Sequence, residues 1–325
     1  MTIARIAGTG RAVPEKVLTN ADFERMVDTS DEWITARTGI KERRVSTDEE
    51  ALSDFAIPAA ENALEMAGVS GEDVELVIVA TVTPDTSFPA TSTQVQHAIG
   101  AANAAAFDLS AACTGFIYGL AVAESMIQTG ALSTAVVIGA EVLSKIVDYT
   151  ERSTSVLFGD GAGAVVLTAD SGEIGLLGVA MHSDGSLGHL IDRPVGGSRR
   201  PLTKDQDGDK GYIRMRGNET FRVAVRSLAE VSNEVLDQCG VAPGQVDWFI
   251  PHQANQRIID AVGQRLEIPE GRTYVNVDRY GNTSAASIPI ALDELNRDGK
   301  IEDGHLVLLS AFGSGLTWGA SLIRW

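Results

Sequence analysis

The chain has 325 residues, of which 44% are hydrophobic and 33 are glycines, as expected for a globular α/β protein with many tight turns. Its formal net charge of −18 argues against nucleic acid or an anionic membrane as the general partner. The two cysteines form no CxxC pair, which argues against a disulfide framework and favours a reducing, cytoplasmic location. The N-terminus lacks the apolar core of a signal peptide.

Apolar, strand-like runs alternate with amphipathic, helix-like runs, which predicts largely parallel sheets covered by helices. In chain order, a helix ends near Gly68 and is followed by the strand "VELVIVA", the strand "AAFDL", a long apolar helix and the strand "TAVVIGAEV". Residues 109–123 carry no charge and resemble a membrane span. Because Asp108 and Gly115 divide this run into a strand and a helix, we interpret it as a buried layer.

The second half repeats this order. Ala63 matches Val235 and Gly68 matches Gly240 at an offset of 172, and in each copy a helix ends at glycine before a turn and a strand. Asp108 pairs with Asp278 at an offset of 170, which aligns Cys113 with Thr283. "TAVVIGAEV" resembles "HLVLLSAFG" at an offset of 171. The constant order predicts two homologous halves, 1–172 and 173–325.

Cys113 falls where a predicted strand meets a predicted helix. In the first turn of that helix, free N–H groups and the positive end of the dipole would favour a thiolate nucleophile. The alternative is a small buried hydrophobe, the usual role of a cysteine. Cys239 lies near a helix C-terminus, where the dipole disfavours a thiolate, and we expect it to be structural.

His252 and Asn282 also follow predicted strands. His252, in "PHQAN", comes directly after the apolar strand "VDWFIP", at the sheet edge where α/β proteins build ligand sites. Asn282, in "GNTSAAS", is a candidate hydrogen-bond donor, although its simplest role is to cap a helix starting at Thr283. The loop "FGSGL", 312–316, follows the strand "HLVLLSA" at the same edge.

Three other stretches resemble nucleotide- or calcium-binding motifs but lack a residue or a position that the motif requires. "GTGRAV" has Val13 in place of the third glycine of a dinucleotide fingerprint, and "GDGAG" precedes its strand. "DQDGDKG" hints at a calcium loop, but Arg216 stands where the bidentate glutamate belongs. We therefore expect no metal site.

One stretch of the acidic chain is basic. Residues 193–226 carry nine basic and four acidic side chains, a local excess of +5. The simplest interpretation is a solvated face, and the alternative is a landing site for an acidic ligand.

Together, "DLSAACTGF", "PHQAN" and "GNTSAASIP" resemble β-ketoacyl-acyl-carrier-protein synthase III, the initiating condensing enzyme family of bacterial fatty-acid synthesis. The resemblance covers essentially the whole chain, including "LFGDGAGAVVL" and "SAFGSGLTWGASLIRW". It implies a thiolase-like fold, in which two duplicated halves form an αβαβα layered sandwich, and a homodimer.

The resemblance also implies roles. Cys113 takes the acyl group, usually acetyl, from acyl-CoA, and malonyl-acyl carrier protein is then decarboxylated and condensed with it. His252 and Asn282 hold the malonyl thioester oxygen, which carries the enolate charge. The backbone N–H groups of Cys113 and Ser314 form the oxyanion hole of acyl transfer, and no cofactor is needed.

Further contacts follow from the same resemblance. The residues expected to bind CoA are Trp33, Arg37, Arg152, Gly217, Asn255 and Arg257, with adenine between Trp33 and Arg152. Those expected at the acyl pocket are Phe88, Phe221 and Met215, with Phe88 closing the pocket of the dimer partner and favouring short primers. Those expected to dock the acyl carrier protein are Arg222, Arg257 and Arg265, although Gln264 replaces the lysine of some relatives.

Two alternatives stay open on the residues. A cysteine hydrolase also uses Cys, His and Asn, but it would release the acyl group to water. A condensing enzyme of secondary metabolism would share the chemistry and use another acyl primer. A non-enzymatic carrier-binding protein would be expected to have lost Cys113, His252 or Asn282, and all three are present.

Overall fold

The computed structural model describes residues 2–203 and 209–325. The strands are β1 Ile3–Ala12, β2 Val17–Thr19, β3 Glu42–Arg44, β4 Leu76–Ala80, β5 Ala105–Leu109, β6 Thr134–Val142, β7 Asp160–Asp170, β8 Gly175–Ser183, β9 Ile191–Asp192, β10 Arg214–Met215, β11 Trp248–Pro251, β12 Leu306–Gly313 and β13 Thr317–Arg324. The helices are α1 Asn20–Glu24, α2 Asp31–Thr38, α3 Ser53–Ala67, α4 Thr91–Ala98, α5 Gly115–Gln128, α6 Arg152–Ser155, α7 Gly217–Cys239, α8 Gln256–Arg265, α9 Val277–Tyr280 and α10 Ser287–Arg297.

Two mixed sheets organise the chain. The first has the order β1-β7-β6-β4-β5 and the second β11-β12-β13-β8. Only β4 with β5, β4 with β6, and β11 with β12 pair in parallel, and the other four pairings are antiparallel. The expectation of largely parallel sheets is therefore wrong. The tight turn between β12 and β13 shows the reason, because adjacent strands joined by so short a connection must run in opposite directions.

The layers alternate helix, sheet, helix, sheet, helix. On β4, Ile78 packs into a core with Leu120 of α5 and Leu292 of α10, whereas Val77 and Val79 face α3 on the other side. Helices α7 and α8 cover the outer face of the second sheet. Because the central strands are buried on both faces, they read as continuous apolar runs. The uncharged run after Asp108 is indeed a buried layer, and no helix of the described ranges is long and apolar enough to cross a bilayer.

The two halves repeat each other at an offset of 172. Helices α3 and α7 both end at a left-handed glycine, Gly68 with φ 65° and Gly240 with φ 66°. Ala112 and Ser284 are also left-handed, with φ 47° and 50°, and each begins a short 3₁₀ turn that runs directly into α5 or α10. The same rare conformation at the same place in both halves supports duplication. The sheets fall on either side of the expected boundary at 172 and 173.

This offset corrects two sequence pairings. Cys113 corresponds to Ala285 of the second 3₁₀ turn rather than to Thr283. Asp108 lies in β5, whereas Asp278 lies in the short helix α9. Among the described residues of the second half, the equivalent of β5 is reduced to a single bridge between Phe249 and Thr273.

Candidate active site

One cavity of about 1120 Å³ collects residues from both halves. Cys113, His252, Asn282 and Ser314 all line it. Cys113, His252 and Ser314 follow the carboxyl ends of β5, β11 and β12, and Asn282 precedes α10. The two duplicated sheets thus bring residues that are distant in sequence to one shared edge.

Cys113 lies in the 3₁₀ turn Ala112–Thr114, one short turn before α5 rather than within it. Burial raises the pKa of its thiol to about 12, a hydrogen bond from Ser284 opposes this, and the charge of Glu141 adds to it. The expected resting thiolate is therefore not supported. Since the thiol is protonated near neutral pH, its proton must leave as sulfur attacks.

Sequence patterns did not single out Glu141. Its carboxylate is fully buried on β6 and accepts hydrogen bonds from the hydroxyls of Thr81, Thr83 and Ser284 and from the backbone of Val82. Burial raises its pKa to about 7, and these hydrogen bonds partly oppose the rise. The available signal was a lone acidic residue inside the apolar strand "TAVVIGAEV".

His252 is held from two sides directly after β11. Its backbone N–H donates to the Ser310 carbonyl at 2.7 Å, and its Nδ1 lies 2.7 Å from the Ser287 hydroxyl. Only 3% of its surface is exposed, and burial lowers the pKa of the imidazole to about 3. The ring is therefore neutral at physiological pH and carries one N–H.

Asn282 both caps a turn and lines the cavity. Its Oδ1 accepts from the backbone N–H of Ser284 at 2.9 Å, which caps the 3₁₀ turn Ser284–Ala286. Helix α10 itself begins at Ser287, not at Thr283 as expected. The backbone of Asn282 is fixed by Leu157 and Gly159 at 2.8 and 3.0 Å. Because the oxygen is engaged, the Nδ2 amide group remains as a donor.

The turn between β12 and β13 presses against the cysteine. A Cβ built on Gly313 would lie 2.7 Å from the backbone nitrogen of Cys113, so only glycine fits. Ser314 follows, and its hydroxyl donates a hydrogen bond to the Ile191 carbonyl at 2.6 Å. The hydroxyl proton is therefore already engaged, and this side chain is not the acid or base of the reaction. Among the described residues, nothing accepts a hydrogen bond from the Ser314 backbone N–H.

The residues expected to bind CoA mostly line the same cavity. These are Trp33, Arg37, Gly217, Asn255 and Arg257, whereas Arg152 does not line it. The guanidiniums of Arg152 and Arg37 stand 4.6 and 4.7 Å from the centre of the Trp33 ring. Since this is a single stacking distance, no ring fits between Trp33 and Arg152 as they stand, and the expected adenine sandwich requires Arg152 to move. Its hydrogen bond to the Asp28 carbonyl would then break.

The residues expected at the acyl pocket divide into two groups. Met215 and Phe221 line the cavity, and the Arg257 guanidinium lies 5.4 Å from the centre of the Phe221 ring. Phe88 does not line it, and 85% of its surface is exposed.

The residues expected to dock the carrier divide similarly. Arg222 and Arg257 are exposed and line the cavity, whereas Arg265 lies in the last turn of α8, outside the lining. Across residues 2–203 and 209–325, no ion pair engages Arg37, Arg222 or Arg257. The cavity opening therefore keeps three available positive charges.

The basic stretch 193–226 is partly neutralised by its own acids. Arg200 and Arg214 pair with Asp209, and Arg216 approaches Glu219 at 4.0 Å. Most of the calcium-like loop lies outside the described residues, as does Lys204. Within the described ranges, no three His, Cys, Asp or Glu side chains are grouped to hold a metal ion. Both cysteines are free, and Cys239 packs beside the core under α7.

The layers and the cavity define a thiolase-fold acyltransferase of the condensing-enzyme class. Residues 107–185 match the family model described as 3-oxoacyl-[acyl-carrier-protein (ACP)] synthase III, and residues 236–325 match the model of its C-terminal part. The chain belongs to this family.

Relatives and solved structures agree over nearly the full length. The chain is 51% identical to the β-ketoacyl-[acyl-carrier-protein] synthase III of Caldanaerobacter subterraneus, covering 99% of the chain and 98% of that protein. It is also 51% identical to the protein of the same name from Thioalkalivibrio sulfidiphilus, covering 100% of both. The crystal structure of 3-oxoacyl-[acyl-carrier-protein] synthase III from Aquifex aeolicus superposes with a TM-score of 0.93 at 50% identity, covering 99% of this chain and 100% of that one. The expected fold class and family are confirmed.

Proposed function

We propose that this protein starts fatty-acid synthesis by condensing a short acyl-CoA, acetyl-CoA above all, with malonyl-acyl carrier protein. The products are acetoacetyl-carrier protein, CoA and CO2. The observation that carries this proposal is that Cys113, His252 and Asn282 line one cavity whose opening holds cationic side chains. Thioester substrates with phosphate groups suit such an opening.

The first half-reaction is acyl transfer. The sulfur of Cys113 bonds to the thioester carbonyl carbon, and the oxyanion is stabilised by the backbone N–H groups of Cys113 and Ser314. The bond to the CoA sulfur then breaks, and the proton lost by Cys113 ends on that sulfur. A protonated resting thiol suits this sequence, because the leaving group needs the proton that the nucleophile releases.

The second half-reaction is decarboxylative condensation. As the bond to the malonyl carboxylate breaks, CO2 leaves and the electron pair moves onto the thioester oxygen as an enolate. Neutral His252 and Asn282 donate hydrogen bonds to that oxygen. The α-carbon then attacks the acyl carbonyl, the bond to sulfur breaks, and the Cys113 thiolate is protonated again. The reaction needs no cofactor besides its two substrates.

We also infer a cytoplasmic homodimer. Strand β5 is the edge of the first sheet, its Phe107 is partly exposed, and the ring of Phe88 is exposed as well. An uncovered edge strand with apolar side chains is a pairing surface. Light scattering on the purified protein tests this inference, and a monomer at micromolar concentration would contradict it.

Phe88 then supports a preference for short primers, since a bulky ring from the partner would close the acyl pocket. Competition between acetyl-CoA and longer acyl-CoA substrates should favour acetyl-CoA, and Phe88→Ala should relax that preference. A wild-type preference for chains of ten or more carbons would defeat the assignment.

A second candidate has its own support. The priming β-ketosynthase of the R1128 polyketide pathway superposes with a TM-score of 0.94 at 34% identity, covering 99% of this chain and 96% of that one. A polyketide priming role would use the same residues with another acyl group. Steady-state assays with acetyl-CoA and malonyl-carrier decide between them: efficient formation of acetoacetyl-carrier supports the proposal, and turnover with only other primers supports the alternative.

A further inference from the structure

The Nδ1 atom of His252 contacts a hydroxyl that lies outside the cavity lining. Nδ1 lies 2.7 Å from Oγ of Ser287, the first residue of α10. The same Oγ accepts a hydrogen bond from the backbone N–H of Gln253 at 3.3 Å. Ser287 is itself buried, so water does not compete for these groups.

The backbone donor to Ser287 is rigidly held. The side chain of Gln253 donates to the Pro251 carbonyl at 2.8 Å and accepts from the Asn276 N–H at 3.0 Å. The backbone N–H of Gln253 therefore stays directed at Oγ. A sequence pattern gives no hint of this arrangement, because Ser287 lies 35 residues from His252.

Counting donors and acceptors selects one tautomer. Because the Gln253 N–H already donates to Oγ, the Ser287 hydroxyl hydrogen needs an acceptor, and Nδ1 of His252 is the one within reach among the described residues. If Nδ1 carried the hydrogen instead, the buried hydroxyl hydrogen would be left unpaired, which is costly.

We propose that Ser287 is a positioning residue that fixes His252 as the tautomer with hydrogen on Nε2, facing the cavity. This inference rests on the proposed function and deepens it. An Nε2–H group donates to the enolate oxygen of the malonyl thioester and has no lone pair there to take the Cys113 proton. His252 therefore serves the condensation step and is not the base of acyl transfer.

The first test observes the tautomer directly. In ¹⁵N-histidine-labelled wild-type protein without substrate, the His252 signals, assigned by their loss in His252→Gln, should show Nδ1 bare and Nε2 protonated. The opposite assignment overturns the proposal. This measurement does not depend on catalysis, so it stands even if the protein proves not to condense acetyl and malonyl thioesters.

The second test separates the half-reactions. Ser287→Ala should slow malonyl-carrier decarboxylation by about 10- to 100-fold, the size of effect seen when the hydrogen-bond partner that orients a metal-bound histidine is removed. Acetylation of Cys113 should change far less. Ser287→Thr, which keeps the hydroxyl, should restore most of the rate. The matched control is Ser321→Ala, since Ser321 is a buried serine whose hydroxyl has no hydrogen-bond partner in the described part of the chain and which lies outside the cavity lining.

Equal loss of both half-reactions in Ser287→Ala, or no loss in either, would overturn the proposal. If Ser287→Ala does not fold, the histidine spectrum of the wild-type protein still decides the matter.

Discussion

The side-chain oxygen of Asn282 accepts a hydrogen bond from the backbone N–H of Ser284 at 2.9 Å. This contact turns the amide nitrogen of the same side chain into the available donor. From the sequence, capping and catalysis are alternative roles for Asn282. In the structure one carboxamide can serve both, because its oxygen caps the turn and its nitrogen is free to donate.

Asn282→Asp should separate these two roles. The carboxylate keeps the oxygen that caps the Ser284 turn, but it replaces the donor with negative charge beside the developing enolate. Malonyl-carrier decarboxylation should fall by about 100- to 1000-fold, while the thermal unfolding midpoint stays near that of the wild type. Asn282→Ala, which loses both groups, should be impaired in both measurements. Near-normal decarboxylation by Asn282→Asp would refute the donor role.

The raised pKa of Cys113 predicts slow alkylation at neutral pH. The rate with iodoacetamide should rise about tenfold per pH unit from pH 7 to 9, because the thiolate fraction grows without saturating below a pKa of about 12. Mass spectrometry of a Cys239→Ser background isolates the Cys113 signal. A rate that levels off below pH 8 would instead indicate a stabilised thiolate.

The buried, neutral imidazole of His252 predicts a pH effect on stability. Burial lowers its pKa in the folded state to about 3 from the ordinary value of 6.5, so the unfolded chain takes up a proton first as pH falls. Keeping this imidazole neutral in the folded state therefore contributes to the free energy of unfolding above pH 6.5, and the contribution is lost as the pH falls towards 3. At about 1.4 kcal/mol for each unit by which the pKa is lowered, the loss is on the order of a few kcal/mol. Urea unfolding at pH 7 and pH 4.5 should show a smaller loss for His252→Gln than for the wild type. Equal losses would contradict this account.

The opening of the cavity predicts a charge-specific carrier effect. Arg222 lines the cavity, whereas Arg226, one turn further along α7, is also exposed but does not line it. Arg222→Glu should raise the KM for malonyl-carrier by at least about tenfold, and Arg226→Glu should change it much less. The difference should shrink at high salt, because surface charges are screened. Equal effects of the two variants would mean that overall charge, not a docking position, controls the step.

Several features followed from the sequence because they depend on local patterns. The helices that end at Gly68 and Gly240, the strands after them and the duplicated order all appear in the structure at one constant offset. Cys113 and His252 were found because each follows an apolar strand, and strand ends are where a sheet presents polar side chains. The strand predicted before Asn282 is instead the short helix α9, so for this residue the predicted element was wrong although the residue does line the cavity.

What the sequence could not supply was contact between distant segments. Ser287 touches His252 across 35 residues, and Ser284 joins Glu141 across 143. The predicted strand directions were wrong for a related reason, because an apolar strand buried on both faces has the same composition in a parallel or an antiparallel pair. The stacking of Arg152 on Trp33 likewise depends on rotamers that no motif encodes.

The most direct test of the central claim is to map where the acyl group resides and where it goes next. Protein incubated with radiolabelled acetyl-CoA and digested should carry label on the peptide containing Cys113, and Cys113→Ala should carry none. When malonyl-carrier is added to labelled protein, the label should move to acetoacetyl-carrier with release of CO2. Label elsewhere in the chain, or its release as free acetate without a new carbon–carbon bond, would contradict the account.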